Sequence, residues 1–162
     1  MEEEIRRRLG EFIFGADRDT LEGVVVAALH SRRWRLATIE IGSGGVLSTR
    51  IQGVLDGPTV YRGGLIAPSI GGSLPPPFDR SELVASVTEL AGAVREWFGA
   101  EVGVSVVIPP VPKDASVLAR VGVATPDTTT EKEFSVGIGV LQVRGRISTL
   151  GLDLIRRIVQ SF

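Results

Sequence analysis

The chain has no cysteine and no asparagine, and in 162 residues it has one histidine (His30), one tyrosine (Tyr61), one methionine and two lysines (Lys113 and Lys132). Each shortage closes off some chemistry. Without cysteine there is no thiolate nucleophile and no thiolate metal site. A single histidine excludes a multi-histidine metal centre, and any histidine-based triad would have to run through His30. No metal and no other cofactor is expected. The net charge of −1 provides no electrostatic footprint for nucleic acid or a membrane surface. No apolar run approaches the ~20 residues that span a bilayer. Met1-Glu2-Glu3-Glu4 is not the start of a signal peptide. A cytoplasmic location is therefore expected, and the lack of cysteine agrees with it.

What is present suffices for one compact domain, since 43% of the residues are hydrophobic. Residues 1–18 read as a linker-like N-terminal segment, with Ile5-Arg6-Arg7-Arg8-Leu9 followed by Phe12-Ile13-Phe14, and residues 19–162 as the domain. Asp19 with Glu22 predicts a capping box that opens a first helix, with Leu21, Val24, Val25, Ala28 and Leu29 on its inner face. A strand from Arg35 to Ile41 runs into Gly42-Ser43-Gly44-Gly45 and a second helix from about Val46, whose inner face carries Leu47, Ile51, Val54 and Leu55. Further strands are predicted at 60–67 and 102–108, with a helix from about Ser81 to Phe98 between them and Gly99 as its stop. Residues 117–125 and 130–136 predict a hairpin over Pro126-Asp127, and a last helix runs from about Gly139 to the end. The alternation predicts an α/β fold: a three-layer α/β/α sandwich with a mixed, mostly parallel sheet and one late antiparallel hairpin.

Three passages, in order, carry a family resemblance. Leu9-Gly10-Glu11-Phe12-Ile13-Phe14-Gly15-Ala16-Asp17 resembles the linker that leads into the carboxy-terminal domain of CinA proteins. Leu36-Ala37-Thr38-Ile39-Glu40-Ile41-Gly42-Ser43-Gly44-Gly45 is similar to that family's Leu-Ala-Thr-Ala-Glu-Ser-Cys-Thr-Gly-Gly. Tyr61-Arg62-Gly63-Gly64-Leu65-Ile66-Ala67-Pro68-Ser69 resembles its aromatic-x-Gly-Gly-Val-Val-Ala-Tyr-Ser run. The resemblance covers nearly the whole chain and implies nicotinamide-nucleotide amidohydrolase chemistry and a homodimer. The chain departs from the family where that chemistry lies. The family's nucleophilic serine is Ile41 here, and its following cysteine and threonine are Gly42 and Ser43. Its tyrosine and lysine after the second motif are replaced by Pro68 and Ser73, and its glycine-rich loop by Pro109-Pro110-Val111-Pro112.

What survives suits binding better than hydrolysis. A strand, a glycine turn (Gly42, Ser43, Gly44, Gly45) and a helix start can hold an anion through unpaired N–H groups; equally, the turn alone demands glycine. The resemblance implies a small phosphorylated, mononucleotide-like ligand there, with Arg144 near its phosphate and Ser69 in the adjoining loop; equally, Arg144 reads as a solvated surface arginine. Glu40 is either part of that site or a structural acceptor for loop amides. A displaced Ser43–Lys113 dyad is the remaining route to catalysis, and it requires a lysine whose pKa is lowered by burial. The expected function is a CinA-like domain without catalysis that binds such a ligand or serves in oligomerisation. Two alternatives stand beside it: an active nicotinamide mononucleotide amidohydrolase, and a structural module of a larger CinA-type protein.

Overall fold

A computed structural model describes residues 20–70, 74–110, 116–137 and 140–162. The predicted linker, Lys113 and Gly139 lie outside them. In chain order the elements are α1 (Leu21–Ser31), β1 (Leu36–Ile41), α2 (Val46–Gln52), α3 (Gly57–Val60), β2 (Tyr61–Ala67), α4 (Ser81–Ala85), α5 (Val87–Phe98), β3 (Val102–Val107), β4 (Val117–Ala124), β5 (Thr129–Val136) and α6 (Val140–Gln160).

One five-stranded sheet, in the order β2-β1-β3-β4-β5, forms the middle layer. β1 lies parallel to both β2 and β3, while β3–β4 and β4–β5 are antiparallel. This is the mixed α/β sheet with a late hairpin that the pattern predicts. β1 and β3 are buried at every position, as central strands covered on both faces must be. Alternate residues face opposite layers. Leu36, Val102, Val104, Val106, Ala119 and Val121 pack with α1, α2 and α6 residues such as Leu29, Leu47, Ile147 and Ile155. Ala37, Ile39, Ile41 and Val107 pack on the other side with Phe78, Val84, Val87, Leu90 and Val94.

Three local readings change. The cap of α1 is Thr20, whose side chain accepts from the Gly23 N–H at 3.1 Å; Glu22 is drawn off to an arginine on α2 instead. The predicted helix from Ser81 to Phe98 is broken at Ser86, which takes an extended backbone (φ −113°, ψ 107°) and caps α5 by accepting from Glu89 N. The second helix ends at Gln52, so Leu55 falls beyond it and is 90% exposed.

Candidate functional site

The carboxyl ends of β2, β1 and β3 come together around Gly42. Its N–H donates to Ala67 O at 3.0 Å, and Ile108 N donates to Ile41 O at 2.8 Å, which knits the three strand ends side by side. Gly42 has φ +86°, and a Cβ there would lie 2.3 Å from the Ile108 carbonyl oxygen. The turn therefore has no room for a side chain at this position.

The turn delivers the chain into α2, whose N-cap, Gly45, has no side chain to satisfy the first amides. Glu40 does so from the strand. Its Oε1 accepts from Leu47 N at 2.9 Å and from Ser43 Oγ at 2.7 Å, and its Oε2 accepts from Ser48 N at 3.1 Å. The carboxylate is completely buried and Ser43 is 1% exposed. A buried carboxylate with three donors at the positive end of a helix is well compensated. The amides that the sequence offered to an external anion already hold an internal one.

A second polar layer lies beside it. Tyr61 Oη and Thr38 Oγ1 are 2.7 Å apart, and Ser48 Oγ donates to Gly45 O at 3.0 Å. Burial pushes the Tyr61 phenol up; the Thr38 and Ser48 hydroxyls work the other way, and the nearby Glu40 charge adds to the rise. Tyr61 is therefore a neutral phenol over the physiological range.

Arg144, on α6, reaches over the turn. Its Nε donates to Gly42 O at 3.1 Å, and its Nη1 would be 3.2 Å from a Cβ built on Gly44. Among the described residues no carboxylate pairs with its guanidinium. A cavity of about 160 Å³ opens beside it, walled by Gly42, Pro68, Ser69, Ile108, Pro109, Pro110, Val143 and Arg144. The helix is held in place by Arg50 on α2, which bonds Glu22 of α1 through Nε and Nη2 (3.2 and 3.1 Å) and Ser148 and Thr149 of α6 through Nη1 (3.0 and 2.7 Å).

Gly42, Ser69 and Arg144 thus share one cavity. Glu40 and Ser43 lie beneath it and do not line it, and Gly45 is buried against Ile66, whose Cδ1 would be 2.6 Å from a Cβ there. Lys113, the proposed partner of Ser43, lies outside the described residues. The apolar walls Pro68, Ile108, Pro109, Pro110 and Val143 were not foreseen as such; the clustered prolines signalled a changed loop but not a wall. Among the described residues there is no group of three acidic or histidine side chains able to hold a metal ion, and no helix long and apolar enough to cross a membrane.

A three-layer α/β/α domain with a small cavity at the carboxyl edge of its parallel strands is the class this geometry defines. No protein-family model matches the chain. Among curated proteins it is 32% identical over 161 residues to a CinA-like protein of Deinococcus deserti, covering 96% of this chain and 39% of that protein. It is 25% identical over 170 residues to a CinA-like protein of Kosmotoga olearia, covering 97% of this chain and 41% of the other. Among solved structures it resembles a competence-damaged protein (CinA) superfamily protein from Klebsiella pneumoniae, with a TM-score of 0.73 and 16% identity over 88% of this chain and 97% of that one. These sequence relatives and structural neighbours support a CinA-family protein. It spans about two fifths of the length of the curated relatives it matches.

Proposed function

We propose that this CinA-like domain binds a small phosphorylated or carboxylated ligand at the carboxyl edge through Arg144 and does not hydrolyse it. One observation carries the reading: Glu40, kept from the family's motif, and Ser43, which stands where that motif has threonine, form a closed, buried hydrogen-bond system under the cavity. A nucleophile must reach the substrate carbonyl, and the Ser43 hydroxyl donates to the Glu40 carboxylate instead. Binding needs less. Arg144 lines a cavity whose other walls are glycine, proline, Ser69 and aliphatic carbon. At about 160 Å³ the cavity is smaller than the roughly 300–1,000 Å³ of ordinary ligand sites, which supports seating an anionic headgroup and not a whole mononucleotide.

Thermal denaturation with inorganic phosphate and with nicotinamide mononucleotide tests the reading, because a ligand of the native state raises its melting temperature. We expect a concentration-dependent rise with at least one of them, absent in Arg144→Gln. No rise at saturating concentrations, or an equal rise in Arg144→Gln, contradicts it.

A second reading, self-association, is favoured by β2. This edge strand carries one charge, Arg62, and its Ile66 is 55% exposed, whereas the opposite edge, β5, is guarded by Glu131, Lys132 and Glu133. Sedimentation equilibrium of the wild type and Ile66→Lys decides it: a dimer that the lysine dissociates supports pairing along β2, and a monomer in both excludes it.

A further inference from the structure

At the opposite end of the sheet, where β1 and β2 begin, a cleft of about 440 Å³ is lined by residues that include His30, Arg33, Trp34, Arg35 and Thr59. It is formed by the way α1 stops. Trp34 N donates to Leu29 O at 2.9 Å and Arg33 N to His30 O at 3.0 Å, which puts Arg33 at the left-handed closing position, with φ +57°. Glycine takes that position without strain. Here it holds a guanidinium in solvent, and Arg35 presents a second one two residues on.

The cleft is short of counter-charge. Arg32 is already committed: its Nη2 donates to Phe162 O, and its guanidinium lies over the rings of Trp34 (5.4 Å) and Phe162 (5.7 Å). The nearby carboxylate of Glu101 accepts the backbone N–H of Arg35 at 2.7 Å. The carbonyl end of α1 adds a fraction of a negative charge. Beside these stand the guanidiniums of Arg33 and Arg35. Among the described residues, no ion pair or hydrogen bond engages the side chains of His30, Arg33 or Arg35.

We propose that this cleft is a second anion site, separate from the carboxyl-edge cavity, that takes an oligophosphate group. Arg33 and Arg35 hold adjacent phosphates, and Trp34 forms a wall. Two neighbouring guanidiniums favour a chain of phosphates over a single one, since each can span two oxygens of its own phosphate. The strained backbone at Arg33 points the same way, because a residue that costs stability where glycine would not is a candidate for a role outside folding.

Titration calorimetry with tripolyphosphate at physiological ionic strength tests the proposal, using Arg144→Gln as the parent so that the carboxyl edge does not contribute. One site per chain is expected. Adding Arg33→Gly or Arg35→Gln should weaken it at least about tenfold, while Arg80→Gln, a surface arginine elsewhere, leaves it unchanged. Arg33→Gly should also melt no lower than its parent, which separates lost binding from lost folding. Absence of binding in the parent overturns the proposal, as does an equal loss in Arg80→Gln. So does an Arg33→Gly protein that binds normally but melts lower, since that result assigns Arg33 to the helix end alone.

Discussion

At the carboxyl end of the parallel strands the acidic side chain of the motif, Glu40, is wholly buried and both its oxygens have donors; at the amino end Arg33 and Arg35 stand in solvent, their side chains without a partner among the described residues. The same sheet therefore treats charge in two ways. A buried, fully bonded carboxylate belongs to the fold, and removing it leaves its donors unsatisfied in a dry interior. An exposed guanidinium contributes little to the fold and is available to a ligand. Arg144 stands between the two, with one nitrogen given to the turn at Gly42 and the rest of its guanidinium beside a cavity. Keeping a motif residue is thus no guide to whether it keeps the motif's chemistry. What its hydrogen bonds already satisfy decides that.

The contrast can be broken most severely at Glu40. Glu40→Ala strands the amides of Leu47 and Ser48 and the Ser43 hydroxyl, and should cost about 3 kcal/mol in urea denaturation; Glu40→Gln, which keeps an acceptor, should cost less. An effect within ~0.5 kcal/mol, the usual range for a surface substitution, would show that Glu40 does not anchor the turn.

Arg50 comes next. Arg50→Met removes the link among α1, α2 and α6 and should cost on the order of 1 kcal/mol, because Arg50 and Glu22 are both partly open to water. It also carries a pH signature. Partial burial works to raise the Glu22 carboxyl, but its bonds to Arg50 and the neighbouring charge win, holding it below the usual carboxylate range. A folded-state pKa that is depressed gives stability that is present above the unfolded value, about pH 4.3, and is lost as pH falls through the folded one. The wild type should therefore lose this contribution in acid below that point, and Arg50→Met should show a flatter acid limb; superimposable limbs would refute the assignment.

Smaller effects sharpen the contrast. Arg144→Gln should change stability by no more than about 1 kcal/mol, the worth of one hydrogen bond, while removing the ligand-dependent rise in melting temperature. Arg33→Gly should be neutral or stabilising by up to about 1 kcal/mol, because relief of the left-handed backbone outweighs the lost cation at the helix end. Chemical denaturation of both variants checks the pair, and a marked loss in Arg33→Gly would make that arginine structural.

The layers and the strand order of the late hairpin were legible because central strands must be apolar throughout and helices carry a 3.6-residue stripe. The helix break at Ser86 was hidden, since Leu83, Val84 and Val87 continue that stripe across it. The Thr20 cap was masked by a competing local pattern, Asp19 with Glu22. A role for Glu40 as an acceptor of loop amides was legible as one of two alternatives, but not that those amides are the first of α2, because Glu40 sits on the preceding strand, across the turn, and not within the few residues where caps are read. Arg50 and Glu22 are 28 positions apart, and only packing brings them together. Of the carboxyl-edge cavity, the glycine turn, Ser69 and Arg144 could be named from the sequence, whereas its proline and valine walls follow from where strand ends and α6 meet.

On the proposed function, Glu40 and Ser43 serve the fold and leave the carboxyl edge able to bind but not to hydrolyse. The most direct test follows ammonia during incubation of the purified chain with nicotinamide mononucleotide. Release no faster than in the protein-free control is expected; turnover above that control, abolished by Ser43→Ala in a protein that still folds, would overturn the proposed function.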